Sequence, residues 1–311
     1  MRRRAFLGGA GAIITAASMS PFDGVFAAPK KKTIRFAHIT DIHVKAEKVA
    51  EAGMAAALAR IAGERNKFDF VINTGDCIWD ALAVDKEKTK AQWALYQKIL
   101  AAQNKHEIHH AIGNHDVWGW FIKEKSGEDQ DRLYGKQWAI DELKMPGRFY
   151  SFQKDLWHFM VLDSTQLNPA GGYIGQLDED QFSWLSGELA KVPPAHHVCI
   201  VSHIPILSIC AGLFFDKTEA NGDLKIQRNL MHSDFFRIKK LFSQYPQVKV
   251  CISGHIHLQD EVDYLGVKYF CNGAVSGNWW KGKFQEFAPA YAAIELHENG
   301  TAIRTFINYE S

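Results

Sequence analysis

The sequence predicts an α/β fold built on a mainly parallel sheet. Three observations carry this reading. Short β-branched or aromatic runs alternate with helical runs through the first half of the chain, which is the pattern of βαβ units. Each of these apolar runs stops at a cluster of Asp, Asn, His or Gly, where a strand opens into a loop. Hydrophobic residues make up 47% and charged residues 23% of the 311 positions, an ordinary globular balance for one large domain or two of usual size.

The elements follow in order. Residues 33–40 read as a first strand ending at Asp41-Ile42-His43. Residues 46–65 are Ala-rich with good helix formers and predict a helix. A second strand over residues 68–73 ends at Thr74-Gly75-Asp76, and residues 86–103 read as a helix. A third strand over residues 108–112 runs into Gly113-Asn114-His115-Asp116. Alone, that tetrapeptide is either a turn, since Gly, Asn and Asp are common turn residues, or part of a metal site. Residues 129–143 predict a helix, and residues 149–152 and 157–162 a strand pair around a turn. Residues 178–190 predict another helix, with Phe182, Leu185 and Leu189 at spacings of three and four. Residues 197–201 form a strand ending at Ser202-His203-Ile204-Pro205, and residues 234–244 a helix. Residues 248–252 form a strand ending at Ser253-Gly254-His255-Ile256-His257. The tail (267–273, 290–296, 301–307) reads as strands of more antiparallel character. The least regular stretch, 207–233, follows His203 directly and is a candidate cap, since long irregular loops in compact domains are often functional.

The N-terminus predicts an export signal over residues 1–27: Met1-Arg2-Arg3-Arg4, a short apolar core, then Val25-Phe26-Ala27-Ala28. The core is too short for a membrane span. Adjacent arginines followed by x-Phe-Leu resemble the twin-arginine signal, with a general secretory signal or an uncleaved anchor as the alternatives. Cleavage after Ala27 removes three Arg and one Asp and takes the formal net charge from +1 to −1. Residues 28–32, with Lys30-Lys31-Lys32, read as a solvated linker, and residues 33–311 as a single domain. The expected setting is periplasmic or secreted in a bacterium, with the twin-arginine machinery as a partner and no stable membrane insertion of the mature chain. Near-zero charge without clustered Lys and Arg excludes a duplex nucleic-acid footprint. Five cysteines, an odd number without a CxxC pair, predict buried free thiols.

Strands in such sheets present ligands at their carboxyl ends, which places Asp41, His43, Asp76, Asn114 and His115 along one edge. Singly, each junction is weak evidence. Together, Asp41-x-His43, Gly75-Asp76, Gly113-Asn114-His115-Asp116, His203 and Gly254-His255-x-His257 predict a metal site. Their order resembles that of the calcineurin-like metallophosphoesterases, over about residues 34 to 280. The match to D-x-H, G-D, G-N-H-D/E, H and G-H-x-H is closest to the branch that includes cyclic-nucleotide phosphodiesterases. The resemblance implies a four-layer α/β/β/α sandwich: two mixed β-sheets packed face to face with flanking helices. It also implies two divalent or mixed-valence ions of Mn, Fe or Zn. Asp41, His43 and His257 would hold one ion, Asn114, His203 and His255 the other, and Asp76 would bridge them. The implied reaction is hydrolysis of a phosphodiester or phosphomonoester, diester favoured, by in-line attack of a metal-activated hydroxide. Imidazoles suit these metals, and the neutral Asn amide limits negative charge facing the phosphate. His115 would give a proton to the leaving oxygen. Asp116 would orient His115 or make a supporting contact behind the ligands, or is a plain loop carboxylate.

Two departures narrow the activity. Trp79 stands where purple acid phosphatases carry a Tyr ligand, and its indole cannot ligate, so no visible charge-transfer band is expected. Gly75-Asp76-Cys77-Ile78-Trp79-Asp80 lacks the Asp-Arg pair of protein Ser/Thr phosphatases. Cys77 should point away from Asp76 and the metals. Trp118, Trp279 and Trp280 are either core or dimer-contact residues, or a wall that stacks a nucleobase or aryl group of a small phosphate ester such as a nucleotide. His232 is read as a surface residue. The competing function is a non-catalytic metal-binding scaffold on the same fold, which the presence of His115 disfavours.

Overall fold

A computed structural model describes residues 33–63, 68–214 and 218–309. The export signal and linker expected over residues 1–32 lie outside the described residues, as does Phe215. In chain order the first half contains β1 (Thr33–Ile39), α1 (Lys48–Gly63), β2 (Phe70–Asn73), α2 (Lys86–Gln103), β3 (Ile108–His110) and α3 (Gln137–Glu142). The middle holds β4 (Tyr150–Lys154), β5 (Trp157–Val161), β6 (Thr165–Leu167), β7 (Tyr173–Gly175), α4 (Glu179–Lys191) and β8 (His197–Val201). The remainder is α5 (Phe235–Phe242), β9 (Val248–Ser253), β10 (Gln259–Tyr264), β11 (Val267–Asn272), β12 (Tyr291–His297) and β13 (Ala302–Ile307).

The strands form two large mixed sheets, ordered β13-β12-β1-β2-β3 and β10-β11-β9-β8-β5-β4. The inner strands β1, β2 and β3 are parallel, as are β5, β8, β9 and β11; the added edge strands run antiparallel. Period-two alternation sorts the side chains into layers. Phe36 and Phe70 of the first sheet stack at 5.1 Å, and Phe159 of the second meets both edge-on. Val201, Ile252, Phe270 and Ile294 complete this inter-sheet core. On the far side of the first sheet, Ala37, Ile39 and Val71 pack under Met54, Leu58 and Ile61 of α1 and Trp93 and Tyr96 of α2. On the far side of the second, Met160, Ile200 and Tyr269 pack under Leu185 and Leu189 of α4 and Ile238 and Leu241 of α5. The result is the α/β/β/α sandwich that the motif order implied.

Caps set where two of the helices begin. Asp85 accepts from Lys88 N at 2.9 Å before α2, and Asp178 accepts from Gln181 N at 2.9 Å before α4. The helix expected over residues 129–143 is instead a short 3₁₀ turn (Glu128–Gln130) and, six residues on, α3. Gly135 breaks it, with φ +70° and backbone bonds to Trp118 in both directions. β10 escapes sequence reading because Asp260, Glu261 and Asp263 give it a loop-like composition. It is a sheet edge, where charge blocks further pairing. All five cysteines are buried free thiols, as expected. No helix among the described residues is long and apolar enough to cross a membrane.

Candidate dinuclear metal centre

The carboxyl ends of parallel strands from both sheets converge on one cleft. The loops after β1, β2 and β3 deliver Asp41, His43, Asp76, Asn114 and His115; the loops after β8 and β9 deliver His203, His255 and His257. Backbone bonds zip these loops together. Asp41 N donates to Gly75 O, His43 N to Asp76 O, and Gly254 N to His203 O, all within 3.1 Å. The geometry demands unusual backbone: Asp41, His43, Asp76, His255 and His257 all have φ between 47° and 74°. Asp and His tolerate this left-handed region better than most residues, and clustered strain of this kind marks functional sites. Two glycines permit the close approach. A Cβ on Gly113 would lie 2.1 Å from Asp76 N and Oδ1, and one on Gly254 would lie 2.3 Å from Asp41 Oδ2.

The side chains form two groups that share Asp76. In the first, His257 Nε2 is 3.4 Å from Asp41 Oδ1, and His43 Nε2 is 3.1 Å from His257 Nε2 and 3.6 Å from Asp76 Oδ2. In the second, His203 Nε2 is 3.3 Å from the same Asp76 oxygen, 3.0 Å from Asn114 Oδ1 and 3.1 Å from His255 Nδ1. Backbone carbonyls take the outer ring hydrogens. His203 Nδ1 donates to Thr74 O, His257 Nδ1 to Gly277 O and His255 Nε2 to Asn229 O. A carbonyl can only accept, so in the neutral ring the inward nitrogen of each carries the lone pair, the tautomer a metal requires.

The donor set fits bound metal. Asp41 Oδ2 accepts from Thr40 Oγ1 and His255 N, but its Oδ1 is buried without a hydrogen-bond partner. Buried polar atoms are rarely left so. Burial pushes the His43 and His255 imidazoles down to about 3, so both are neutral donors. Burial alone would raise the Asp76 carboxyl, yet His203 and His115 beside it hold it well below the carboxylate range. Burial alone would lower His203, and Asp76 outweighs it, raising the ring to about 9. The shared oxygen thus already attracts positive charge.

His115 sits at the cleft with one ring nitrogen within 4.8 Å of the inward atoms of His43 and Asp76. Its Nδ1 is 3.3 Å from Asp80 Oδ1. Burial alone would lower this imidazole, but Asp76 and then Asp80 raise it above its ordinary value. Asp80 is the residue that sequence reasoning passed over, noted only for lacking a following Arg. Its position four residues after Asp76 was the available signal.

Four other readings are corrected. Asp116 does not orient His115: its Oδ1 accepts from Cys77 N at 2.8 Å and its Oδ2 from Gly113 N at 3.0 Å. It locks the loop after β2 to the loop after β3. Burial, then Asp76, pushes its carboxyl up to about 6. Trp118 is core, 1% exposed, edge-on to Trp138, with Nε1 donating to Val84 O. Trp280 also turns inward, against Gly53 of α1, and its Nε1 donates to His43 O. Both indoles find buried carbonyls, which holds them away from the cleft. His232 is buried rather than superficial, because its N–H donates to Pro205 O and its Nδ1 meets Asp234 Oδ1 at 2.9 Å. Trp279 does line the cleft, stacked on His257 at 4.2 Å. Cys77 points into the core, where Asn73 Nδ2 donates to its Sγ. From the irregular loop, Phe214, Gln227, Asn229 and Leu230 reach the cleft.

Fold and site together define a phosphate-ester hydrolase, and the chain belongs to the calcineurin-like phosphoesterase family, whose match spans residues 34–259. The 3',5'-cyclic adenosine monophosphate phosphodiesterase CpdA of Escherichia coli is 25% identical over 282 residues, covering 86% of this chain and 87% of that one. A 3',5'-cyclic-nucleotide phosphodiesterase of Nostoc is 26% identical, covering 88% of this chain and 91% of that one. Among solved structures, a dimetal phosphatase from Danio rerio matches with a TM-score of 0.59 at 15% identity, covering 89% of this chain and 99% of that one. The GAP50 anchor of the Plasmodium inner membrane complex matches at 0.56 and 17% identity, covering 91% of this chain and 86% of that one. An enzyme and an anchor thus share the fold, so the fold alone does not set the role.

Proposed function

We propose that the protein is a dinuclear-metal-dependent phosphodiesterase acting on small phosphate esters, with 3',5'-cyclic nucleotides the first class to test. The observation that carries this reading is the meeting of two ligand groups at one carboxylate oxygen of Asp76, with His115 beside it. The names of the Escherichia coli and Nostoc relatives support the diester preference. Asp41, His43 and His257 would hold one ion, Asn114, His203 and His255 the other, and Asp76 both. Bound there, the ions would supply Lewis acidity toward phosphate oxygens and the attacking water.

The chain's own residues do the rest. Asn114 contributes a ligand without charge, so the anionic phosphate meets less repulsion. Asp80 faces His115 Nδ1, which leaves Nε2 to donate to the leaving oxygen. Trp279 offers a flat face for a planar leaving group or base. The scaffold alternative predicts no His115 dependence of any reaction.

The test measures turnover of bis(p-nitrophenyl) phosphate, p-nitrophenyl phosphate and cyclic AMP, before and after chelation and on return of manganese, iron or zinc. Metal-dependent turnover lost in His115→Ala supports the reading. Absence of turnover with every ester and metal favours the scaffold.

Export through the twin-arginine route to the periplasm remains part of the proposal, supported by Arg2-Arg3-Arg4 and the apolar run that follows. Fractionation of cells carrying the full chain with Arg3→Lys and Arg4→Lys tests it; unchanged periplasmic recovery would rule the route out.

A further inference from the structure

The cleft over the ligand groups does not end there. Tyr173, Gln227 and Asn229 line both the cleft, of about 250 Å³, and an adjoining groove of about 520 Å³. The two hollows adjoin at these three residues, and the groove is the larger. It runs between the β6–β7 hairpin and residues 225–229. Gly175 N donates to Arg228 O at 2.8 Å, so the second wall is anchored to the first.

The groove's lining is chemically one-sided. It contains no carboxylate and two cations, Lys225 and Arg228. Lys225 has Glu219 as a neighbour at 3.6 Å. Arg228 has no carboxylate partner among the described residues, and it also lines the next hollow beyond the groove. Between the metal ligands and these cations lies an aromatic platform, Tyr173 stacked parallel on Phe121 at 6.4 Å and 13°. Tyr173 in turn meets His255 edge-on at 6.1 Å. Tyr173 thus stands where the two hollows meet, with the ligand groups in the cleft and Arg228 in the groove.

We infer that this groove is a subsite for the distal part of the substrate, in which Arg228 receives a second anionic group, a phosphate on the far side of a nucleoside. The assignment rests on the phosphoesterase reading for its reaction but not for its binding. A guanidinium pairs with phosphate through two parallel N–H bonds, and a base or sugar spanning the distance lies over Tyr173. A nucleotide ester with a second anionic group should then bind more tightly than one, such as a 3',5'-cyclic nucleotide, that carries only the reacting phosphate.

Two thymidine esters test this with one chromophore. Thymidine 5'-(p-nitrophenyl phosphate) and its 3'-phosphorylated form differ only in the distal phosphate. The full chain is expected to show a KM about tenfold lower for the phosphorylated form, with similar kcat. In Arg228→Ala the ratio of the two KM values falls to near one, and in Arg228→Glu it inverts. The ratio is internal to each variant, so a change in overall activity does not disturb it. Calorimetric binding of thymidine 3',5'-bisphosphate against thymidine 5'-phosphate gives the same comparison without turnover. Equal affinities in the unaltered chain, or a preference that survives Arg228→Ala, overturn the subsite. An Arg228-dependent binding gap without turnover of any ester leaves the subsite standing and removes the catalytic reading.

Discussion

Asp80 and His115 face each other across two loops, with Oδ1 of one 3.3 Å from Nδ1 of the other. The contact matters because Asp80 helps raise the imidazole above its ordinary value. A group whose pKa is raised keeps its proton to higher pH, and a general acid works only while it holds that proton. Asp80→Asn is therefore expected to move the alkaline limb of kcat/KM to lower pH and to lower kcat about tenfold or more. KM should change little. An alkaline limb that stays in place would show that Asp80 does not act through His115.

Asp76 and Asp41 separate two roles that look alike in sequence. The Asp76 Oδ2 atom lies beside His43 of one group and His203 of the other, while Asp41 Oδ1 meets only the first. Asp76→Asn is expected to cost both metal equivalents and about 10³-fold or more in turnover. Asp41→Asn should lose one equivalent and retain the other. Elemental analysis of the dialysed chains reads this directly, and equal losses in both variants would contradict a shared carboxylate.

Gly113 is held against Asp76 so closely that a methyl group has no room. The atoms in its way are Asp76 N and Oδ1 at 2.1 Å, and a backbone atom cannot swing aside. Gly113→Ala should displace the Asp76 carboxylate, lowering metal content and turnover together while the far-ultraviolet dichroism stays near native. Full metal loading in this variant would mean that the two loops move apart easily.

Much of this centre was legible in the sequence because its residues lie at strand ends, where Gly and polar groups interrupt apolar runs. Asp41, His43, Asp76, Asn114, His203, His255 and His257 meet in space as their order suggested. What was hidden depends on where a chain goes after the junction. Trp118 closely follows Asp116 and Trp280 adjoins Trp279, yet backbone carbonyls at Val84 and His43 draw both Trp118 and Trp280 inward. Asp116 adjoins His115 in sequence but spends both oxygens on backbone N–H groups. Tyr173 and Arg228 carry no local signal, since a three-residue hairpin strand and an irregular loop bring them to the groove.

The two adjacent tryptophans give opposite expectations. Trp280 is buried against Gly53 and bonded to His43 O, so Trp280→Ala should destabilise the fold by about 3–5 kcal/mol. Trp279 faces the cleft over His257. Trp279→Ala should leave the unfolding midpoint nearly unchanged and raise KM for nucleotide esters about tenfold, the size of a lost base stack. Denaturant unfolding and steady-state kinetics on both variants separate the roles; a KM effect in neither would remove the stacking assignment.

His38 and His110 add to the acid sensitivity of the fold from outside the cleft. Burial pushes each imidazole down to about 3, while an unfolded histidine titrates near 6.5. His38 is held neutral between Thr74 Oγ1 and Asn272 Nδ2. Because the folded values lie below the unfolded ones, the unfolded chain binds these protons first. Their contribution is complete above pH 6.5 and is lost progressively as pH falls toward 3. At about 1.4 kcal/mol per pH unit for each ring, two such groups withdraw several kcal/mol, comparable to the whole stability of a domain. Urea midpoints at saturating metal should thus be flat from pH 8 to 7 and drop steeply below pH 6. In His110→Gln the starting stability is lower and the acid slope shallower, since one proton uptake is gone. Parallel profiles for the two proteins would show that His110 keeps its proton in the folded state.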